Sequence, residues 1–188
     1  MMIIGDVHGL TYEYKHLLTD EPSIQLGDFG FKEHHQWHLA NVDSSLHKIS
    51  FGNHDDYTFL NAPHSLGNFS YQNGIFSLRG ANSIDFMYRT EGVDLFSNEQ
   101  MNYSEMNKAF ESYVSNKPEI VVSHECPLMV KKYLIRHAEN TPTASGFQKM
   151  FEEHQPKIWI FGHYHQSFKM MVNATTFICL NELETLSI

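Results

Sequence analysis

The chain has 188 residues, of which 41% are hydrophobic and 13% aromatic, and its formal net charge is -9. This length and composition fit one globular domain over residues 1–188, and the negative charge disfavours sequence-independent binding to duplex nucleic acid, which needs a basic surface. The sequence shows no apolar run of membrane-spanning length, no secretory signal pattern and no disulfide framework, so we expect a cytoplasmic protein without a membrane partner.

Short apolar runs, each ending in a glycine and a polar residue, predict the strands of the first half of the chain. Strands are expected at 1–4, 23–26 and 48–51, and helices at 12–18 and 32–41. The glycines that follow punctuate two further apolar runs, which predicts a hairpin of 69–71 with 75–78.

The second half continues the alternation of strands and helices. Ser97, with Gln100 three residues later, has the pattern of a capping box and predicts a helix towards residue 115. Pro127 stands where a first helical turn can start. Helices are expected at about 128–137 and 144–154, and strands at 119–122, 157–161, 168–172 and 175–180. These elements indicate a mixed α/β layered domain.

Polar side chains that bind metals in other proteins follow five of the predicted strands. They are two carboxylates, one carboxamide and four imidazoles: Asp6, Asp28, Asn53, His8, His124, His163 and His165. Open α/β sheets place their ligands at the carboxyl ends of strands. Mixed oxygen and imidazole donors suit Mn²⁺, Fe²⁺ or Zn²⁺ better than Ca²⁺. We therefore expect two divalent ions, and Mn²⁺ is the preferred candidate.

Each of these motifs has an ordinary explanation when it is taken alone, such as a turn or a helix cap. Their joint occurrence is harder to explain in that way. A string such as Gly52-Asn53-His54-Asp55 arises by chance in a chain this long roughly one time in a thousand. Here it occurs in order with Gly5-Asp6, Gly27-Asp28 and Gly162-His163-Tyr164-His165.

With these motifs, the chain resembles the calcineurin-like metallophosphoesterase superfamily from Asp6 to His165. The resemblance implies a four-layer α/β/β/α sandwich of two mixed sheets flanked by helices. It also implies that Asp28 bridges two metals, the first held by Asp6, His8 and His165 and the second by Asn53, His124 and His163. The implied reaction is hydrolysis of a phosphodiester or phosphomonoester by a metal-bridging hydroxide.

His54 lies beside the expected ligand Asn53, and the matching histidine of the family is not a ligand. The resemblance implies that His54 is the general acid that protonates the departing alkoxide. The alternative is a surface histidine that orients the loop.

The chain departs from the phosphoprotein phosphatases of this superfamily. Their second motif continues to an Asp-Arg pair, and an arginine precedes their Gly-Asn-His. Phe31-Lys32 and Phe51 stand at these places here. Without the two arginines there is no bidentate phosphate grip of that kind, so a serine/threonine protein phosphatase is disfavoured. The missing Asp also leaves His54 without an identified partner.

The segment Gly80-Ala81-Asn82-Ser83-Ile84-Asp85 and the following Arg89 are similar to a segment of small bacterial and phage members. Arg79 and Arg89 are the candidates for binding the substrate phosphate. The alternative is that they are solvated or paired with Asp85 or Glu91. Asp85 could instead orient a metal-ligand histidine.

Two classes of function follow. The first is a phosphoesterase for a small phosphorylated substrate such as a nucleotide, with a nuclease acting on DNA or RNA ends as a variant of the same chemistry. The second is a non-catalytic metal-binding scaffold. The complete ligand set together with His54 argues against the scaffold.

Overall fold

The computed structural model describes residues 1–83 and 85–188, with residue 36 described by its backbone alone. Ile84, in the segment similar to phage members, and the side chain of Gln36, in the predicted helix 32–41, therefore lie outside the described residues. The strands are β1 (Met2–Ile4), β2 (Ser23–Gln25), β3 (His47–Ile49), β4 (Phe69–Gln72), β5 (Ile75–Leu78), β6 (Ile120–Ser123), β7 (Ile158–Phe161), β8 (Phe168–Val172), β9 (Thr175–Cys179) and β10 (Thr185–Ser187). The helices are α1 (Thr11–Leu17), α2 (Tyr103–Asn116), α3 (Leu128–Leu134) and α4 (Pro142–Glu153), with a π-helical turn at His34–His38 and 3-10 turns at Tyr57–Phe59 and Phe86–Tyr88.

Within the described part of the chain, the strands form two sheets. The smaller sheet has the order β10-β1-β2-β3, and the larger has the order β4-β5-β6-β7-β9-β8. Strands β1, β2 and β3 run parallel, as do β5, β6, β7 and β9, while β10, β4 and β8 pair antiparallel at the edges. The carboxyl ends of the parallel strands in each sheet therefore lie at one edge.

Apolar side chains alternate between the two faces of each sheet, as strand geometry requires. Ile3 of β1 and Val122 of β6 belong to a buried cluster that draws on both sheets. The next residue of β1, Ile4, packs instead with Tyr14 of α1. Val121 faces the other way, into a cluster with residues of α2, α3 and α4. The order helix, sheet, sheet, helix confirms the predicted four-layer α/β/β/α sandwich.

The capping box lies at a different place from the predicted one. Helix α2 begins at Tyr103, where the Asn102 side chain accepts from Glu105 N at 3.0 Å and Glu105 Oε2 accepts from Asn102 N at 2.9 Å. The prediction of a box at Ser97 and Gln100 is wrong, because the Gln100 side chain instead accepts from Thr143 and donates to Asn82.

Two further differences come from tertiary contacts. The histidine-rich stretch predicted as a helix over 32–41 forms a π-helical turn at His34–His38, with His35 stacked on Phe51 and Phe59. Strand β10 was not predicted. Its three residues alternate exposed, half-buried and exposed, and its pairing partner β1 lies at the other end of the sequence.

No helix among residues 1–83 and 85–188 has both the length and the apolar character needed to cross a bilayer.

Candidate metal centre

The predicted ligands lie in loops that follow five strands. Because β1, β2 and β3 are parallel neighbours, Asp6, His8, Asp28 and Asn53 leave the smaller sheet at the same edge. His124 and the loop 162–165 leave the larger sheet after its parallel neighbours β6 and β7. The distances between these side chains show that the two sets of loops converge.

A first group contains Asp6, His8, Asp28 and His165, whose candidate ligand atoms all lie within 4.8 Å of one another. His8 Nε2 is 2.8 Å from His165 Nε2 and 3.6 Å from Asp28 Oδ2. His165 Nε2 is 3.4 Å from Asp6 Oδ2. Both carboxylates are buried, whereas the two imidazoles reach the surface. The group therefore opens to solvent on its imidazole side.

A second group contains Asp28, His124 and His163, again with ligand atoms within 4.8 Å of one another. His124 Nε2 lies 3.3 Å from Asp28 Oδ1 and 3.3 Å from Asn53 Oδ1. Asp28 belongs to both groups, with Oδ2 facing His8 and Oδ1 facing His124. The structure thus brings all seven predicted ligands together and places Asp28 between the two sets.

Two glycines allow the carboxylates to lie against the backbone. A Cβ on Gly52 would overlap Asp28 Oδ1 and His124 Nε2, and a Cβ on Gly162 would overlap Asp6 Oδ1. In each case glycine precedes the ligand motif because a larger residue would occupy the centre itself.

Several ligand residues adopt a left-handed backbone conformation that L-residues other than glycine rarely use. The φ angles are 46° for His8, 55° for Asp28, 70° for His163 and 48° for His165. Such conformations cost free energy and persist where the surrounding structure holds them. Hydrogen bonds from the backbone N–H groups of these residues contribute here, because His163 N donates to Asp6 Oδ2 at 3.0 Å and His8 N donates to the backbone oxygen of Asp28 at 2.7 Å.

The charges of the centre oppose the effect of burial. Burial raises the pKa of Asp6 and of Asp28, but the neighbouring His124 and other imidazoles hold both pKa values below their usual range. Burial would lower the pKa of His124, but Asp28 and Asp6 raise it to about 10. Burial lowers the pKa of His163 to about 4. The protein therefore keeps positive charge between two buried carboxylates.

This donor set fits divalent cations. Two buried carboxylates supply negative charge, while a carboxamide oxygen and neutral imidazoles supply the remaining donors of a borderline ion. A cation bound there would replace the proton of His124, because an imidazole coordinates through a deprotonated nitrogen.

His54 contacts an arginine. Its Nε2 accepts from Arg89 Nη2 at 2.6 Å, and Arg89 Nη1 also donates to the backbone oxygen of Asn53 at 3.1 Å. Asp85 Oδ1 pairs with Arg89 at 2.7 Å. Asp85 was a candidate for orienting a metal-ligand histidine. The structure instead pairs its carboxylate with Arg89. Burial and Arg89 lower the pKa of His54, although Asp28 opposes them.

Arg79 does not lie where a phosphate-binding residue is needed. Its side chain is buried, with Nε donating to Asn68 Oδ1 at 2.7 Å and Nη1 donating to Asn98 O at 2.7 Å. It also stacks 4.9 Å from the ring centroid of Tyr57. The structure gives Arg79 a role in packing, in place of the predicted phosphate contact.

A cleft of about 370 Å³ opens over the centre. Its lining comprises Asp28, Asn53, His54, Asn82, Asp85, Arg89, Lys131, Ile135, His163, Tyr164 and His165. Sequence reasoning assigned no role to Lys131 or Tyr164. Both contact Glu125, with Lys131 Nζ 2.9 Å from Glu125 Oε2 and the Tyr164 hydroxyl donating to Glu125 Oε1. In the sequence, the local indication of this cluster is Glu125, an acidic residue directly after His124.

A two-sheet sandwich with a cluster of seven candidate metal ligands at the carboxyl ends of its strands is the arrangement expected of a metal-dependent hydrolase. The family model described as calcineurin-like phosphoesterase matches residues 1–167. The chain belongs to this family, whose members are metal-dependent phosphoester hydrolases with dinuclear centres.

Solved structures share the fold at low sequence identity. A putative 5'-nucleotidase from Staphylococcus aureus is 15% identical with a TM-score of 0.51, and the match covers 99% of this chain and 50% of that one. A dimetal phosphatase from Danio rerio is 12% identical with a TM-score of 0.51, over 93% and 76% of the two chains. The anchor protein in the inner membrane complex of Plasmodium is 10% identical with a TM-score of 0.53, over 96% and 71%. The chain thus spans half the length of the first of these. No curated protein sequence matches it.

Proposed function

We propose that the protein hydrolyses a small phosphodiester or phosphomonoester with two divalent metal ions held by the seven ligands. The observation that carries this proposal is the shared position of Asp28. It contributes one carboxylate oxygen to the group of His8 and the other to the group of His124. A single metal site would not need this arrangement.

In the proposed reaction, Asp6, His8 and His165 would hold one ion, Asn53, His124 and His163 would hold the other, and Asp28 would contribute a carboxylate oxygen to each. When bound, such a pair of ions supplies an ionised water as nucleophile near neutral pH and stabilises the charge of the phosphoryl oxygens. His54, next to Asn53 in the cleft, donates a proton to the leaving oxygen. Arg89, on the same wall, binds a phosphate oxygen.

The proposed metal is Mn²⁺, with Fe²⁺ and Zn²⁺ as alternatives, on the basis of the mixed oxygen and imidazole donors. A cleft of about 370 Å³ is in the range of small-molecule sites, which favours a small substrate such as a nucleotide. The structural likeness to a putative 5'-nucleotidase supports the same choice. A nuclease is the weaker variant because the net charge is -9.

The proposal extends to the whole chain. Strand β1 near one end of the sequence pairs with β10 near the other, which supports a single domain over residues 1–188. Cys126 and Cys179 are free, buried thiols, which supports a cytoplasmic location.

Hydrolysis of bis-p-nitrophenyl phosphate and p-nitrophenyl phosphate, with added Mn²⁺, tests the proposal. We expect turnover of at least one substrate, and the ratio of the two rates separates a diesterase from a monoesterase. Asp28→Asn should abolish turnover, whereas Asp20→Asn, at an exposed carboxylate, should not change it. Protein that binds Mn²⁺ but hydrolyses neither ester would instead support the non-catalytic scaffold.

A further inference from the structure

The carboxylate of Asp55 is fully buried and accepts backbone hydrogen bonds from two loops. Its Oδ1 accepts from Phe29 N at 2.8 Å and Gly30 N at 3.1 Å. Its Oδ2 accepts from Asp28 N at 2.8 Å and Gly52 N at 2.7 Å. One side chain therefore joins the loop after β2 to the loop after β3.

These two loops carry Asp28 and Asn53, and Asp55 holds each of them from the backbone. Asp28 has a φ of 55°, a strained conformation for a residue with a Cβ, and its N–H bonds to Asp55. Asn53 lies between Gly52, whose N–H is also bound, and Asp55 itself. The Asp28 side chain faces His8 and His124, with Oδ1 also accepting from His54 N at 2.7 Å.

Asp55 acts from behind the centre. It does not belong to the cleft lining found among the described residues. On its other side, His35 Nε2 lies 3.5 Å from Asp55 Oδ1, and the His35 ring stacks on Phe51 and Phe59. The π-helical turn at His34–His38 places the packed His35 ring beside the carboxylate, while the backbone N–H groups supply its hydrogen bonds.

We propose that Asp55 is a positioning residue that sets the backbone of Asp28 and Asn53 in the arrangement needed to bind the metals. The inference rests on one part of the proposed function, namely that the seven residues bind metal ions. Asp55 acts through four backbone N–H groups.

The chemistry of these hydrogen bonds distinguishes the proposal from simple packing. Each oxygen of Asp55 accepts from two N–H donors. In Asp55→Asn, an NH₂ group would face two donors whichever way the amide is turned, so two bonds would be lost and like dipoles would meet. Asp55→Ala removes both acceptor oxygens and with them all four bonds. If packing alone mattered, Asp55→Asn would behave like the wild-type protein, because it keeps the size and shape of the side chain.

Titration calorimetry with Mn²⁺, below the melting temperature of each variant, provides the test. We expect Asp55→Asn to bind Mn²⁺ roughly 10- to 100-fold more weakly than the wild-type protein, and Asp55→Ala, which loses all four bonds, to bind at least as weakly as Asp55→Asn. Asp56→Asn is the matched control. Asp56 is the next residue and is also buried, but its carboxylate caps Thr58, with Oδ1 accepting from Thr58 N at 2.9 Å. Wild-type affinity in Asp55→Asn, or in Asp55→Ala, would overturn the proposal.

Amide hydrogen exchange of the wild-type protein decides the matter if the Asp55 variants do not fold. In metal-free protein, the amides of Asp28, Phe29, Gly30 and Gly52 should already be protected, because Asp55 binds them without any ion. Exchange at the rate of an open loop until Mn²⁺ is added would show that the metal, and not Asp55, sets these loops.

The two proposals fail in different ways. If the ester substrates are not hydrolysed but Mn²⁺ affinity falls in the expected order, the phosphoesterase function fails and Asp55 keeps its role. If the wild-type protein is active and Asp55→Asn binds Mn²⁺ like Asp56→Asn, the role of Asp55 fails alone.

Discussion

In the structure, His54 contacts Arg89, a partner that the sequence did not predict. The Arg89 guanidinium lies 2.6 Å from the His54 imidazole, and Asp85 pairs with the same guanidinium at 2.7 Å. Both side chains line the cleft beside Asn53. At the scale of single residues, the pair is therefore the first target for testing the chemistry.

Replacing His54 with alanine should preserve metal binding and lower turnover. A general acid contributes typically 10²- to 10⁴-fold to a rate when the leaving group is a poor one. We expect a kcat loss of about that size for an alkyl phosphate ester and a smaller loss for p-nitrophenyl esters, whose leaving group needs little help from an acid. Steady-state kinetics with measured metal content checks this. His137→Ala, at an exposed histidine, is the control, and an unchanged kcat for the alkyl ester would exclude His54 from the mechanism.

Replacing Arg89 with glutamine should mainly raise KM. Hydrogen bonds to charged groups contribute about 1.5–3 kcal/mol, which corresponds to roughly a 10- to 150-fold weaker interaction with the substrate phosphate. Michaelis constants for one substrate, measured for Arg89→Gln and for the control Arg136→Gln at an exposed position, provide the comparison. Equal KM values would leave Arg89 with only its contacts to Asp85 and the backbone.

At the scale of elements, helix α2 depends on a cap that sequence reasoning placed five residues too early. The Asn102 and Glu105 bonds close both sides of the box, and Glu105 Oε2 also lies 3.3 Å from the buried Arg79. The start of the helix is thereby tied to the core as well as to its own first turn.

Asn102→Ala should reduce the free energy of unfolding by about 1 kcal/mol, the usual cost of losing an N-cap side chain. Urea denaturation measures it. Asn107→Ala on the exposed middle of the same helix is the control, and it should change stability little because alanine is the better helix former there. Mn²⁺ affinity should stay constant in both variants. Equal unfolding free energies for Asn102→Ala and the wild-type protein would show that the box adds nothing.

At the scale of the whole molecule, the centre links stability to pH and to metal. In the metal-free protein, His124 has a pKa raised to about 10. Its contribution to stability is therefore full below its unfolded value of about 6.5 and is lost as the pH rises towards 10. Asp28 has a lowered pKa, so its contribution is full above its unfolded value of about 3.9 and is lost as the pH falls below that.

The unfolding free energy of metal-free protein should consequently fall between pH 6.5 and 8.5. Saturating Mn²⁺ should reduce this slope, because a bound cation takes the place of the His124 proton, and should raise stability at every pH by mass action. Urea denaturation with EDTA or Mn²⁺ measures both effects, and His124→Gln should lose the slope. A flat profile for the metal-free wild-type protein would contradict the charge arrangement described for the centre.

The parts of the molecule that could be predicted from sequence are those with a local signature. Strands β1, β2, β3 and β7 lie in short segments that lead into a glycine, β6 is an apolar run that leads into Ser123-His124, and the ligands follow within a few residues. Arg79 and Arg89 had no such signature. Both are arginines near glycine-containing turns, and only tertiary contacts place one in the core and the other in the cleft.

The layered α/β class and the candidate ligands at strand ends could be predicted from the sequence alone. These features depend on residues that are close together in the sequence, namely apolar runs and the turn residues that follow them. The tertiary structure decided that Arg89 meets His54, that Arg79 is buried in the core and that Asp55 holds two loops together. Asp55 bonds to Asp28, Phe29 and Gly30, which lie 25 to 27 positions away along the chain. Such contacts depend on which strands become neighbours in a sheet, and no local pattern encodes that.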